Sequence, residues 1–400
     1  MVSTITPKKR ITSIDAIRGF ALFGILLIHC MEHFDLTFTP ELASPFWQQV
    51  DNIVFDGVFF LFAGKTYAIF SLLFGLSFFM QMDSQAEKGV DFRWRFLWRL
   101  LLLLGLGYLN GLIYMGEFFL VYGILGIFMI PLFKLPTKWL VVLMVLFFLQ
   151  IPDIIAFMSL LSGSAPNEPS YLMTYMDELY ADMVPVFAEG SFADVVNYNM
   201  WKGQFAKILW VINYARYSQL LGLFIAGMLI GRFGIHKSEE KMIKYSKLAL
   251  PCSIAVFVFF YAIVLLLPVF GVEGYALRSG EMLFKLYANM GMMMMYICGL
   301  TLLYYTFKGA RKALDGIAPV GRMSVTNYMA QSVIGVVLFY GFGFNLATKL
   351  SFFECMLLGL AVYAVLMLFS SWWIKRYYYG PIEWLWRSLT WFKRFPLRRV

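Results

Sequence analysis

Charge is the scarcest commodity in this 400-residue chain: only 14% of its residues are Asp, Glu, Lys or Arg. Water-soluble domains carry about a quarter, so the composition excludes an ordinary soluble fold. Histidine appears three times and cysteine four times. Cys30, Cys252, Cys298 and Cys355 are scattered through apolar stretches, which excludes a disulfide framework. Extended polar sequence is also missing, apart from one segment between about Ser162 and Lys207. What fills the chain instead is apolar: 60% hydrophobic residues, 19% aromatics and a mean hydropathy of +0.71. These values place it in a lipid bilayer.

A helix that crosses a bilayer needs roughly 20 mostly apolar residues. Ten such segments are present, at 17–36, 56–80, 96–114, 118–134, 138–160, 208–231, 248–269, 283–306, 323–343 and 352–374. Only Tyr114-Met115-Gly116-Glu117 interrupts the apolar run between the third and the fourth. Basic residues give a test of the count, because they gather on cytoplasmic loops. With the N-terminus inside, the inner loops hold 26 of the 33 basic residues: Lys8, Lys9, Arg10 and Arg18, four between Lys88 and Arg99, Lys134 and Lys138, five between Arg232 and Lys247, four between Lys308 and Arg322, and seven in the tail. The outer loops carry acids instead, among them Asp35, Glu41 and Asp51, and Glu168, Asp177, Glu178, Asp182, Glu189 and Asp194. The net charge of +9 therefore reports topology and contact with anionic lipid rather than nucleic acid.

The expected architecture is an all-α polytopic membrane protein with about ten transmembrane helices and both termini cytoplasmic. Residues 1–400 form a single transmembrane domain, with an extracytoplasmic loop over 162–207 that holds short amphipathic helices and a basic cytoplasmic tail over 375–400. No small-residue cleavage site follows the first apolar segment before Glu32 and His33, so it reads as a retained anchor. Two halves of five spans would have opposite orientation, as in inverted-repeat transporters, but they share no sequence similarity.

Ionisable groups inside a membrane cost free energy, about 2.5 to 3.5 kcal/mol each at the bilayer centre, and so mark functional hypotheses. The first segment carries Asp15, Arg18, His29, Glu32 and His33; the second carries Asp56 and Lys65; Asn110 and Glu117 flank the third break; Arg216 opens the sixth segment, and Asn327 and Gln331 lie in the ninth. Arg18 and His29 are eleven residues apart, about 16 Å and three turns along a helix, so they share a face. His33 follows one turn later. Such a stripe can hold a long anionic ligand at one end and use an imidazole as general base at the other. The plainer alternative is that Asp15 caps the helix, Arg18 snorkels to headgroups and the histidines pack. Lys65 is deep in its segment if that segment is straight, and needs a partner or a polar cavity. Lys65 and Arg216 pair with Glu117 or Asp56 in one reading and bind an anionic substrate group in the other. His29, Cys30 and His33 have metal-like spacing, but His236 lies in a basic loop and no fourth ligand is evident, so no metal is expected.

Several segments are familiar. Arg10-Ile11-Thr12-Ser13-Ile14-Asp15-Ala16-Ile17-Arg18-Gly19-Phe20 resembles the opening of the YeiB-like family of bacterial membrane proteins, a domain of unknown function. Phe70-Ser71-Leu72-Leu73-Phe74-Gly75 resembles its second span. Gly321-Arg322-Met323-Ser324-Val325-Thr326-Asn327-Tyr328 with Gln331-Ser332, and Gly380-Pro381-Ile382-Glu383-Trp384-Leu385-Trp386-Arg387, are similar to its C-terminal signatures. The resemblance covers nearly the whole chain. It implies a fold similar to the transmembrane acyltransferase superfamily, which includes acyltransferase type 3 proteins and the heparan-glucosaminide acetyltransferase group. In the type 3 proteins Arg, ten residues and then His occupy the first span, a spacing that Arg18 and His29 match.

The resemblance implies transfer of an acyl group, acetyl in the favoured form, from a cytoplasmic thioester such as acyl-CoA to an acceptor at the outer face. In that reading His29 or His33 is the base, Arg18 with Asp15 binds the donor, and Lys65, Glu117, Arg216, Asn327 and Gln331 bind substrate or stabilise charge. The alternative is a transporter or exporter of a small or amphipathic solute. Expected partners are membrane lipids and a small-molecule, lipid or glycan acceptor, with a homo-oligomer compatible and nucleic acid excluded. The expected location is the bacterial cytoplasmic (inner) membrane. A cysteine placed in the 232–247 loop tests the orientation: it is expected to react with impermeant thiol reagents only from the cytoplasmic side, and labelling from outside overturns the assignment.

Overall fold

The computed structural model describes residues 10–36, 38, 42 and 44–399. Lys8, Lys9 and Glu41, which contribute to the charge asymmetry, lie outside the described residues. The fold is all-helical. In chain order the helices are α1 Thr12–Met31, α2 Pro45–Phe62, α3 Thr66–Ala86, α4 Arg93–Gly111, α5 Phe119–Leu132, α6 Thr137–Phe148, α7 Ile151–Leu161, α8 Tyr171–Glu189, α9 Phe192–Tyr198, α10 Gln204–Asn213, α11 Arg216–Arg232, α12 Glu239–Leu266, α13 Gly274–Thr306, α14 Lys308–Arg322, α15 Ser324–Phe339, α16 Phe352–Arg376 and α17 Pro381–Trp391. No strand longer than an isolated bridge, Tyr377 with Arg398, occurs among the described residues.

Among the described residues six helical stretches are long and apolar enough to cross a membrane: Thr12–Met31, Pro45–Ala86, Thr137–Leu161, Glu239–Leu266, Gly274–Thr306 and Phe352–Arg376. Helices α5 and α15 are apolar but shorter. Their packing separates inner from peripheral helices. Most of α1 and α11 is buried, whereas α12 buries only Ser246, Ser253 and Val264 and turns Val258, Phe259 and Leu265 outward. An apolar face left unpacked along a whole helix suits contact with hydrocarbon.

Three of the apolar segments are interrupted, which the sequence reading did not anticipate. The second is two helices, α2 and α3, parted at Ala63-Gly64-Lys65 with Gly64 at φ +79°. The fifth breaks at Gln150, φ +49°, just before Pro152, and the sixth breaks at Ala215, φ +50°. Left-handed conformations cost L-residues about 1–2 kcal/mol, so Gln150 and Ala215 are held by their surroundings. The long polar segment is also more regular than expected. Helix α8 runs for 19 residues and buries Met173, Met176, Leu179, Met183 and Phe187, a helical stripe laid on the bundle. A capping box of Ser191 and Asp194 starts α9, and the Ser191 hydroxyl and N–H hold the Asp194 carboxyl below its ordinary value.

The C-terminal tail folds back. Arg95 and Trp98 of α4 donate to the Thr390 and Leu389 carbonyls, Trp386 donates to the Arg99 carbonyl, and the Arg99 guanidinium lies 3.7 Å from the centre of the Trp386 ring. Most of the basic tail is therefore helix and packing surface. It also brings the two C-terminal motifs together: the half-buried Glu383 carboxylate accepts from the Val325 and Thr326 N–H groups, at 2.7 and 3.1 Å, and from the Thr326 hydroxyl at 2.5 Å. A carboxylate placed there satisfies the free N–H groups that open α15. Asn327 donates to the Val320 carbonyl and to Ser370, Gln331 donates to the Leu22 carbonyl, and Tyr363 donates to the Gly19 carbonyl. These bonds fasten α15 and α16 to α1, and α14 lies so close to α1 that a Cβ on Gly321 would meet the Asp15 carbonyl.

Glu383→Gln exchanges charge-assisted bonds for neutral ones, each charged bond being worth about 1.5–3 kcal/mol. The variant is expected to lose about 2 kcal/mol and to unfold at lower temperature in detergent. An unchanged Tm would deny Glu383 this role.

Candidate functional site

A cavity of about 410 Å³ opens where the C-terminal end of α1, the α2–α3 break, the α4–α5 turn, α8, α10 and the start of α11 meet. Its polar lining comprises His29, Glu32, Asp35, Lys207 and Arg216 with the tyrosines 67, 114, 122, 180 and 328. Phe70, Phe118 and Trp210 supply apolar walls. The volume falls in the range of about 300–1,000 Å³ typical of small-molecule sites.

Each polar group reaches the cavity for a local reason. Helix α1 ends at Met31, and the next residues leave it in the left-handed region: His33 at φ +47°, Phe34 at +55° and Asp35 at +76°. Three such non-glycine residues in succession fold the chain back on itself. His29 and Glu32 stay on the cavity side, and Asp35 returns to accept from the Gly116 N–H at 3.1 Å. The His29 ring makes an edge contact with Tyr114, centroids 5.1 Å apart. His33 swings away: it is buried between Phe339 and Phe352, stacked on the latter at 5.6 Å, and does not line the cavity. The expected continuation of one stripe from His29 to His33 is thus corrected, because the helix stops before it can carry both.

The α4–α5 turn supplies Tyr114, Met115 and Gly116 to the wall. Behind them Glu117, fully buried, accepts from the Phe119 and Leu120 N–H groups that open α5 and pairs with Lys207 at 3.3 Å. Lys207 belongs to α10 and is 4% exposed at its side chain. The partner of Glu117 is therefore Lys207, not Lys65 or Arg216, and the exposed Asp56 pairs with neither cation. Arg216 lies over the Tyr67 and Trp210 rings, at 5.5 and 5.4 Å, and donates to Gln219, whose Oε1 also accepts from the Tyr67 hydroxyl. Among the described residues Arg216 has no carboxylate within 4.0 Å.

Other residues singled out from sequence lie elsewhere. Arg18 sits towards the other end of α1, donating to Asp15 at 3.0 Å and to the Ser77 hydroxyl at 2.5 Å, and neither it nor Asp15 lines the cavity. Lys65 is buried beside the break, with its ammonium 5.7 Å from the centre of the Phe60 ring, while its neighbours Ala63, Gly64 and Thr66 do line the cavity. Asn327 and Gln331 hold helices together, as described above. Missed altogether were Lys207, assigned to the edge of the outer loop, and Asp35, counted only as an outer acid. The three-residue spacing from His29 to Glu32 to Asp35 was a usable signal for the second; nothing local pointed to the first. Among the described residues no group of three or more His, Cys, Asp or Glu is arranged to hold a metal ion.

The fold and cavity thus define a polytopic helical membrane protein with a partly open, largely apolar chamber that carries a few ionisable groups. Comparison with known proteins adds a group. The family described as a protein of unknown function (DUF418) matches residues 230–393, from the end of α11 through α17. The chain is similar to the uncharacterized 39.9 kDa protein in the amylase 3' region of Bacillus acidopullulyticus (25% identical; 97% of this chain and 96% of the relative). It is also similar to the uncharacterized protein YxaH of Bacillus subtilis (strain 168) (26%; 98% and 96%) and to the uncharacterized protein YeiB of Escherichia coli (strain K12) (28%; 96% and 96%). These matches support a YeiB-like group of membrane proteins. No solved structure matches significantly.

Removing one partner of a buried ion pair costs about 3–5 kcal/mol, because the other charge stays buried. Lys207→Met is expected to lower Tm sharply, and Lys207→Met with Glu117→Gln to recover most of the loss. A double variant no more stable than the single one would overturn the pairing.

Proposed function

We propose that the protein is an acyltransferase of the bacterial cytoplasmic membrane, with about ten spans and both termini inside, that moves an acyl group, in the simplest case acetyl, from a cytoplasmic thioester to an acceptor at the outer face. The observation that carries the reading is the gathering of His29 with two carboxylates and two cations in one cavity. The Arg18 to His29 spacing shared with acyltransferase type 3 proteins supports it further.

The chemistry assigns each group a task. The acceptor's O–H or N–H attacks the thioester carbonyl, His29 takes the proton as the new C–O or C–N bond forms, and the C–S bond breaks. The imidazolium returns that proton to the departing thiolate, so the products are an ester or amide and a free thiol. Arg216, with no carboxylate partner, is the cation available to an oxyanion; Lys207 is tied to Glu117. Arg18 would meet phosphates of an acyl-CoA donor by exchanging Asp15 for them. His33 takes no part in this scheme, being packed against Phe352.

Transport is the second reading, and it has an observation of its own. Two interrupted helices, at Ala63-Gly64 and at Arg216, and the α4–α5 turn all border the cavity. Broken helices around a polar chamber are the usual setting of a transport site.

One pair of assays separates the readings. With acetyl-CoA and a membrane extract as acceptor source, wild type is expected to release free thiol, and His29→Ala to release it about 10²–10⁴-fold more slowly at an unchanged Tm. Unaltered turnover in that variant rules out His29 as the base. Solute uptake by proteoliposomes free of any thioester, with no thiol release in the first assay, would replace acyl transfer by transport.

A further inference from the structure

Formal charge on the cavity wall is unevenly spent. Lys207 is already paired with Glu117, 3.3 Å away and fully buried. That leaves two neighbouring carboxyl groups, Glu32 and Asp35, on the α1 side of the cavity and Arg216 on the α11 side. Asp35 accepts a single neutral bond, from the Gly116 N–H, and Glu32 makes neither a salt bridge nor a side-chain hydrogen bond among the described residues. Two half-buried carboxyl groups crowded on one wall repel each other when ionised, and a positive charge between them relieves that repulsion.

The acids do not stand alone. Tyr114 and Tyr180 line the same chamber, with Tyr67, Phe118 and Trp210 beyond them. Aromatic faces attract cations that have been stripped of water, with Trp and Tyr the better surfaces. They favour a cation that carries an apolar body. The donor set agrees, since no group of three or more metal-ligating side chains occurs among the described residues. Arg216 does not meet the need itself, because among the described residues it lies within 4.0 Å of neither carboxylate.

We infer that the cavity receives an organic cation, a protonated amine with an apolar body, whose ammonium sits against Glu32 and Asp35 while its carbon chain lies on the tyrosine and tryptophan walls. The inference deepens the proposed reading by naming the class of acceptor: the ammonium would give one proton to the Glu32 or Asp35 carboxylate, and the free amine would lose a second to His29 as it attacks the thioester and leaves as an amide, the imidazolium returning that proton to the thiolate. It holds equally for a transported solute, because it concerns recognition.

Binding is tested without any thioester, on the full chain in nanodiscs of zwitterionic lipid, by calorimetric titration with n-hexylamine, 1-hexanol and hexanoate. The amine is expected to bind at least about tenfold more tightly than the alcohol, a difference of about 1.4 kcal/mol, and hexanoate not to bind. Glu32→Gln is expected to abolish the preference for the amine while leaving the weak binding of the alcohol. His29→Ala is expected to keep amine binding, so amine binding by the wild type without any thiol release from acetyl-CoA tells against the acyl-transfer reading alone. Equal affinity for amine and alcohol in wild type, or preference for hexanoate, overturns the inference and leaves transfer to a hydroxyl acceptor standing. An amine preference that survives in Glu32→Gln overturns the assignment of the carboxylates.

Discussion

The turn between α4 and α5 is buried, and buried backbone N–H groups must find acceptors. Everything around the cavity follows from how this one requirement is met. Gly116 donates to Asp35, Phe118 to the Tyr328 hydroxyl, and Phe119 and Leu120 to Glu117. Three separate parts of the chain, the end of α1, α15 and the turn itself, thus converge because a hairpin needs acceptors. Glu117 in turn needs a cation once it is fully enclosed, and Lys207 brings α10 down over the chamber. The outer layer of α8 and α10 is therefore held by electrostatics as well as by the methionine stripe of α8.

The same logic recurs at the other helix starts. Asp51 accepts from the Phe352 and Phe353 N–H groups that open α16, as Glu383 does for α15. In both cases an acid distant in sequence reaches a helix start, so long-range caps staple the bundle, at α16 beside a local capping box of Ser351 and Glu354. Acids that looked like markers of loop polarity, Asp35 and Asp51, turn out to be structural acceptors inside the fold. This is why a simple tally of acids by loop overstates how many of them face water.

Much of the helical framework was legible because hydropathy is a local property: every apolar segment falls on helix, and the long polar segment folds into amphipathic helices as its pattern implies. The interruptions at Gly64, Gln150 and Ala215 were not, since none is marked by the paired Gly and Pro signals that end helices in water. Of the cavity, His29 and Arg216 were identifiable as ionisable residues in apolar surroundings. His33 was misplaced because a helical-face argument assumes that the helix continues, and here it ends two residues earlier. Lys207 could not be recognised, for it lies 90 residues from Glu117 and reads as an ordinary lysine near the end of a polar stretch. Pairings across a bundle depend on arrangement, and ten apolar segments allow many.

That separation of 90 residues has a meaning in time. Ribosomes add about 5–20 residues per second, so Glu117 leaves the exit tunnel on the order of 5 to 20 s before Lys207 does. Throughout that interval the hairpin is in place with an uncompensated acid at its tip. The nascent chain must keep this tip in contact with water or lend it a proton until α10 arrives, which makes the closing of the chamber a late event in biogenesis, governed by synthesis rather than by insertion.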